Sequence, residues 1–296
     1  MDNDPIVSRT VIDFNSIYVI ESLPDGALKT GRDLYDSIVF PESGKLAGIH
    51  TQFSTARTPD EFGQRLAAVG RNTRLGNHKP IVHIEAHGTD DGIELADGAV
   101  VQWRELIGIF GDINQACGMN LIVVAISCSG WNLTASLVPS DRAPVNMVIG
   151  PVDTMKAGEL LKATQVFYRT LYATLDLNSA IEAMNDNRPY AEWRIKPGLA
   201  EVLFCRVFRT YVKELGTSEV LQQREDKLVA QAIKSGNVGK EQLLQLRLSI
   251  RKDLRDHRKL FEHFRRIFLM LDIFPERADR YGLTYDLCFD GSRELR

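Results

Sequence analysis

Two short apolar segments constrain this chain more than any other feature. Pro80–Gly88 (PIVHIEAHG) and Leu121–Gly130 (LIVVAISCSG) are rich in β-branched residues, and each ends on a reactive side chain beside a glycine. Runs of this length bounded by glycine are typical of buried strands in a parallel sheet. The carboxyl ends of parallel strands lie at one end of the sheet, where open α/β folds bind ligands. The sequence therefore predicts that His87 and Cys128 lie close together.

Strand-like and helix-like segments alternate up to about residue 213. Besides the two segments above, strands are predicted at Val11–Ile20, Leu46–Phe53 and Val145–Ile149, with amphipathic helices between them. This alternation predicts a three-layer α/β sandwich with a mostly parallel sheet over residues 1–213. Thr89–Val101 is predicted to form a small hairpin that turns at an Asp-Gly pair.

The composition changes after residue 213. Residues 214–296 are charged, poor in glycine and helical in period, and we interpret them as a helical C-terminal extension with a regulatory or partner-binding role. The boundary depends on Leu199–Val212, where β-formers favour a last strand although helical spacing also fits. Leu283–Phe289 is predicted to be a short strand.

Composition and charge exclude several classes of protein. The net charge of −3 gives no global sign of nucleic-acid binding, and no apolar run reaches the roughly 18–20 residues of a membrane span. The first residues lack the pattern of a signal peptide. Because of the missing apolar run, no membrane partner is predicted. Four widely spaced cysteines form no metal-binding or disulfide pattern, which favours a reducing, cytoplasmic setting.

A basic run within residues 251–266 leaves nucleic-acid binding as an alternative. Acidic residues are interspersed with the basic ones, and the aromatic residues lie on the apolar side of the predicted helix. This pattern favours a solvated helix face that carries no nucleic acid, with an opposite side that packs on the core or a partner protein.

Cys128 is the candidate nucleophile and His87 the candidate base. A thiol reacts once it is ionised, and a neighbouring imidazolium or helix N-terminus favours ionisation. A histidine followed by glycine at a strand end can move protons at neutral pH, and the Gly88 amide can face a developing oxyanion. The competing interpretation is structural, a buried thiol and a histidine bonded to a carbonyl. We adopt that structural role for Cys117, Cys205 and Cys288.

The segments IEAHGTDDGIELADG and VVAISCSG resemble the caspase-like (clan CD) cysteine peptidases, and within them the bacterial CHAT-type branch. The shared pattern is a strand ending in His-Gly, a hairpin with an Asp-Gly turn, a helix, and a strand ending in Cys. The resemblance covers about Val11–Asn187. It implies a caspase-like sandwich in which His87 is the base and Cys128 the nucleophile. The amides of Gly88 and Cys128 would then form the oxyanion hole.

Asp153 and Glu21 are candidate substrate-binding residues. Asp153 follows the predicted strand next to that of Cys128, where the resemblance places the pocket for the side chain before the cleaved bond. The competing roles are a helix cap for Asp153 and a solvated loop acid for Glu21. Metacaspases have an acidic residue two positions before the cysteine, whereas this chain has Ile126, so specificity for basic side chains is not predicted.

Other polar residues near the predicted site receive structural roles. His83 and Glu85 lie on the same side of their strand as His87, where they either orient the imidazole or make polar contacts beneath a helix. Thr30 is predicted to cap the first helix. No metal is predicted, because the hairpin acids follow no calcium-loop spacing and are interpreted as solvated; they are Asp90, Asp91 and Asp97.

These observations predict a single-chain, cytoplasmic cysteine endopeptidase that needs no cofactor. The segment between Cys128 and the next strand is too short for the long cleavable linker of two-chain caspases. The resemblance implies a specific protein substrate, such as a gasdermin-like or other defence effector. The alternative is a catalytically inactive caspase-like scaffold that binds a partner protein through its C-terminal helices.

Overall fold

The structure, a computed structural model, describes residues 13–126, 137–151, 156–186, 195–215, 218–235 and 242–290. The described residues fall into two compact units. The sheet unit contains residues 13–126 and 143–200, and the helical unit contains residues 137–142 and 201–290. The chain is an α/β protein with a mostly parallel sheet followed by C-terminal helices, as the alternating pattern predicted.

The sheet unit is built on six strands, with a two-stranded hairpin attached to one of them. In chain order the strands are β1 (Ser16–Ser22), β2 (His50–Thr55), β3 (Pro80–Gly88), β4 (Gly92–Glu94), β5 (Val100–Gln102), β6 (Ile122–Ile126), β7 (Met147–Pro151) and β8 (Ile195–Leu199). The sheet has the order β2-β1-β3-β6-β7-β8, and β4 pairs with the end of β3. All neighbours in the main sheet are parallel except β7 and β8.

Helices cover both faces of this sheet. Pro59–Gly76 forms α3 and Trp103–Ala116 forms α4 on one face, whereas Ala157–Thr174 forms α5 and Leu177–Asp186 forms α6 on the other. Alternate residues of the strands point to opposite faces, so apolar side chains from β1, β3 and β6 enter both helix layers. The layer on the α5 side is fully buried and includes Ile17, Val19, Ile81, Val124 and Phe167.

The helical segment after β1 is irregular. Thr30–Leu34 forms α1, Tyr35–Val39 forms a π-helical turn, and Phe40–Ser43 forms α2. The prediction that Thr30 caps this segment was wrong, because Thr30 is the first helical residue and Lys29 occupies the cap position without a side-chain bond. The next helix, α3, has a side-chain cap, since Thr58 accepts the Glu61 N–H at 3.2 Å.

Two further secondary-structure predictions, both for segments near or within the helical unit, were wrong. Ala200–Leu215 is a helix, α7, rather than a last strand, and the preceding residues form β8 instead. Tyr285–Asp290 is also a helix, α11, rather than a strand. Both segments carry aromatic residues that favour strands locally, but here they pack in a cluster of rings between helices. That cluster contains Phe204, Phe208, Tyr211, Phe261, Phe264, Phe268, Tyr285 and Phe289.

The described part of the helical unit also contains three more α-helices and a 3₁₀ helix at Pro275–Arg280. Ser218–Lys234 forms α8, Leu243–Arg255 forms α9, and His257–Phe268 forms α10. The Glu225 carboxylate on α8 is buried and lies 2.9 Å from Arg251 and 3.2 Å from Arg247, so an ion pair joins α8 to α9. None of the helices in the described part of the chain is both long and apolar enough to cross a lipid bilayer.

Candidate active site

The two segments that carry the predicted nucleophile and base are neighbouring strands. β3 and β6 pair in parallel, with Glu85 opposite Ile126 in the register. His87 is the second residue after Glu85, and Cys128 is the second residue after Ile126. Cys128 and Asp153 lie outside the described residues, whereas His87, Gly88 and Glu21 lie within them.

His87 is exposed at the carboxyl end of β3. Its backbone pairs with Glu94 of β4, because β3 continues past the main sheet into the hairpin. Within the described part of the chain, the imidazole forms no hydrogen bond. A solvent-accessible imidazole without a fixed partner is available to a neighbouring thiol or a substrate.

The hairpin that follows His87 is held by a compact set of hydrogen bonds. The Thr89 hydroxyl donates to the Gly92 carbonyl at 3.0 Å, and the Trp103 indole N–H donates to the Thr89 carbonyl at 3.2 Å. Gly92 is required by packing, since a Cβ at this position would lie 2.0 Å from the Val101 oxygen. The predicted hairpin is thus confirmed, and Gly98 at its turn has a positive φ of 85°.

A buried polar layer lies beneath the carboxyl ends of β1 and β3. Glu21 and Glu85 are directly opposite in the register of these strands, and both are buried. Glu85 accepts the Thr30 hydroxyl at 2.9 Å and lies 3.0 Å from His83 Nε2. The Tyr168 hydroxyl of α5 lies 3.2 Å from His83 Nδ1. Burial raises the pKa of Tyr168 well above its usual value, so its hydroxyl stays protonated as a hydrogen-bonding group.

The contacts within this layer decide between the two roles that the sequence left open for His83 and Glu85. Glu85 bonds to Thr30 of α1 and His83 to Tyr168 of α5, and in the described residues neither forms a hydrogen bond with His87. They therefore make polar contacts beneath helices, which is the second of the two predicted roles. Their function is to satisfy one another inside the sheet unit, where an unpaired polar group would destabilise the fold.

Glu21 has a contact that sequence reasoning missed. The first strand extends to Ser22, so Glu21 lies within β1 and is buried rather than placed in a loop. Its Oε2 accepts the Arg32 N–H at 3.0 Å and thus occupies the position of an N-cap for α1. The only local signal was indirect: Lys29, the residue before the helix, cannot accept a hydrogen bond from a backbone N–H.

Replacing Gly31 by alanine is expected to lower the free energy of unfolding by about 1–3 kcal/mol. An added Cβ would lie 3.0 Å from Glu85 Cγ and 3.2 Å from Glu21 Oε2, so it would crowd the buried carboxylates. Gly63→Ala in α3 is the matched control, because its Cβ would meet nothing within 4 Å and alanine favours a helix. Chemical unfolding of both variants measures the difference. Equal stability of Gly31→Ala and Gly63→Ala would contradict the close packing.

The hairpin acids and the basic run have surface contacts. The Asp97 carboxylate accepts the Ala99 N–H at 2.9 Å, which stabilises the turn. Among the described residues, no group of three or more metal-binding side chains is close enough to hold an ion. In the basic run, Arg258 pairs with Asp286 and Lys259 with Asp253, so these cations already face carboxylates.

The sheet thus brings together the ends of the two predicted catalytic strands, and it places Glu21 and Glu85 in a separate buried layer. Sequence comparison adds no assignment: the chain matches no protein-family model and no curated protein.

Proposed function

We propose that this chain is a caspase-like cysteine endopeptidase with a Cys128–His87 dyad. One observation carries the proposal: β3 and β6 are parallel neighbours, and both residues follow the register pair Glu85–Ile126 by two positions. Neighbouring strands are about 4.8 Å apart. Two residues that follow the same register pair by the same number of positions are therefore well suited to act together, here a thiol and an imidazole.

The proposed reaction is ordinary acyl transfer. His87 takes the thiol proton, and the Cys128 sulfur attacks the peptide carbonyl to form a tetrahedral intermediate. The amides of Gly88 and Cys128 stabilise the oxyanion. His87 then protonates the leaving amine, and water hydrolyses the acyl-enzyme with His87 again acting as base. This sequence of steps uses no metal or organic cofactor.

The substrate is proposed to be a specific protein, with a gasdermin-like or other defence effector as the class that the resemblance implies. Asp153 is the proposed wall of the pocket for the side chain before the cleaved bond. Glu21 supports that end of the sheet from below, through its bond to α1, rather than as an exposed ligand. A reducing, cytoplasmic setting would keep Cys128 as a free thiol.

A diverse peptide library analysed by mass spectrometry tests the proposal whatever the natural substrate is. We expect the full chain to cleave a subset of peptides, and we expect Cys128→Ala to cleave none. Cys117→Ala is the matched control, since Cys117 is a buried thiol outside the proposed dyad and its loss should leave cleavage intact. Equal cleavage by wild type and Cys128→Ala, or no cleavage by either together with equal iodoacetamide labelling, would refute the dyad.

A second candidate function is that of a non-catalytic scaffold that binds a regulatory or partner protein. The observation that favours it is a set of exposed apolar side chains on two helices of the helical unit: Leu228 and Ile233 on α8, and Leu244 and Leu248 on α9. The scaffold predicts a folded chain without Cys128-dependent cleavage. The peptide-library experiment therefore separates the two functions.

A further inference from the structure

The two edge strands of the main sheet differ in how well their sequences prevent pairing with another chain. Natural sheets protect exposed edges with proline, charged residues or bulges, because unpaired backbone groups recruit other strands. β8 contains Pro197, which has no backbone N–H to donate. β2 has the sequence HTQFST, with no proline, glycine, lysine, arginine or acidic residue. The β2 edge therefore lacks these sequence protections against pairing.

The free backbone groups of β2 can be assigned from its pairing with β1. His50 N–H donates to the Asn15 carbonyl, and Ala56 N–H donates to the Glu21 carbonyl. In a parallel ladder, successive residues direct their backbone N–H and C=O groups alternately toward the neighbouring strand and away from it. Thr51, Phe53 and Thr55 therefore direct these groups away from β1. Within the described residues, only the Thr55 carbonyl has a partner on this side, the Arg65 side chain at 3.1 Å.

An aromatic patch borders these outward groups. It consists of Tyr35, Phe40 and Phe53, with ring centroids 5.6 Å apart for Tyr35–Phe53 and 5.9 Å apart for Tyr35–Phe40. Phe40 is 61% exposed, which is unusual for so large an apolar ring. Free backbone groups beside an exposed aromatic patch are the two features that strand addition uses, the first for affinity and the second for specificity.

We propose that β2 pairs antiparallel with β2 of a second copy of this chain, about a two-fold axis that passes beside Phe53. In this register Phe53 faces the same residue of the second copy, and Thr51 faces Thr55. Aromatic pairs and Thr–Thr pairs are both favourable across strands. A two-fold axis perpendicular to the sheet keeps the two aromatic patches on the same face, where they bury one another.

Hydrogen bonding and charge also suit a second copy. Phe53 exchanges two backbone bonds with its counterpart, and each Thr51–Thr55 pair exchanges two more. The Thr55 carbonyl can accept both Arg65 and the incoming N–H, because a carbonyl has two lone pairs. Beside the patch, Arg32 lies 5.0 Å from the Phe53 ring and pairs with Asp36 at 2.6 Å. Because Arg32 and Asp36 already neutralise one another within each copy, this pair adds no net charge beside the patch.

Light scattering of the full chain at micromolar concentrations tests the dimer. The expected mass is twice the 33.3 kDa of one chain. Phe40→Lys should weaken dimerisation by at least about tenfold, because it places two like charges in the buried patch. Leu175→Lys is the control, since Leu175 is 57% exposed in the same unit but lies outside β2 and the patch. A monomeric mass across this range would overturn the proposal, and strand addition by a foreign peptide would then be the remaining use of this edge.

Cysteine cross-linking tests the register. Residues in a hydrogen-bonded antiparallel pair have Cα atoms about 5.5 Å apart, which suits a disulfide. Under mild oxidation, Phe53→Cys should cross-link with itself, whereas Thr55→Cys should not. A mixture of Thr51→Cys and Thr55→Cys chains should form a mixed dimer, and wild type controls for the native thiols. The β2–β2 pairing would be refuted if both expected cross-links failed to form in folded variants. It would also be refuted if Thr55→Cys alone cross-linked as much as Phe53→Cys.

Discussion

Replacing His87 by alanine is expected to slow peptide cleavage by about 10²–10⁴-fold, the usual contribution of a general acid–base group. It should also change the pH dependence of Cys128 alkylation. In the wild type the imidazolium would stabilise the thiolate, so labelling would continue below neutral pH. Without His87 the thiol would ionise near its ordinary pKa of about 8.5, and labelling by iodoacetamide at about pH 6 would fall by about tenfold.

The control for this prediction is His50→Ala. His50 is also exposed and belongs to the same unit, but it lies at the opposite end of the sheet, at the start of β2. This variant should retain the wild-type rate of cleavage and the wild-type pH profile of labelling. If His87→Ala instead matched the wild type in both measurements, Cys128 would not depend on His87 and the proposed dyad would be wrong.

The second prediction concerns Glu201 on α7, which should make the protein less stable as the pH rises. Glu201 is only 2% exposed, and burial raises the pKa of its carboxyl from 4.5 to about 7. The N–H of Leu283, which donates to Oε1 at 3.0 Å, and the charges of Arg265 and Arg280 lower the pKa but do not offset the effect of burial. The folded chain therefore favours the protonated form of Glu201.

The sign of the pH effect follows from proton binding. Between the unfolded value of 4.5 and the folded value of about 7, the folded state binds more protons than the unfolded state. The stabilising contribution is fully present below pH 4.5 and is lost as the pH rises through 7. Integration over the shift gives a loss on the order of 2–3 kcal/mol between about pH 5 and about pH 8.

Urea unfolding at these two pH values measures the effect. Glu201→Gln keeps a carbonyl oxygen for the Leu283 N–H but cannot ionise. Between these two pH values, the variant should therefore lose about 2–3 kcal/mol less free energy of unfolding than the wild type loses. Glu214→Gln is the control, since Glu214 is exposed on the same helix and should leave the pH dependence unchanged. A wild-type pH dependence in Glu201→Gln would show that Glu201 is not the titrating group.

The strands around the candidate site could be predicted from sequence because their signals are local. The runs that became β3 and β6 are apolar, β-branched and bounded by glycine, and the Asp-Gly pair specifies the hairpin turn. The helix α3 was equally clear, because Thr58, Pro59 and Glu61 form a complete N-terminal signal within four residues.

Other elements could not be predicted because their local signals conflict. Phe204 and Phe208 of α7 suit a strand as well as a helix by residue type, and their contacts with α10 and α11 decide the outcome. The same holds at α1, where the stabilising acceptor is Glu21 of β1 rather than a neighbour in sequence. A side chain that acts from another element leaves no periodic pattern beside the residue it stabilises.

The sequence by itself indicated which residues are candidates for chemistry, His87 and Cys128, because each stands at the end of an apolar segment beside a glycine. Only the tertiary structure decided that these strands are parallel neighbours with Glu85 opposite Ile126. It also decided that Glu21 is a buried residue of β1 rather than a solvated loop acid, and that His83 and Glu85 make polar contacts beneath helices. The physical reason is that strand order and register depend on how whole faces pack against the helices, which no short segment encodes.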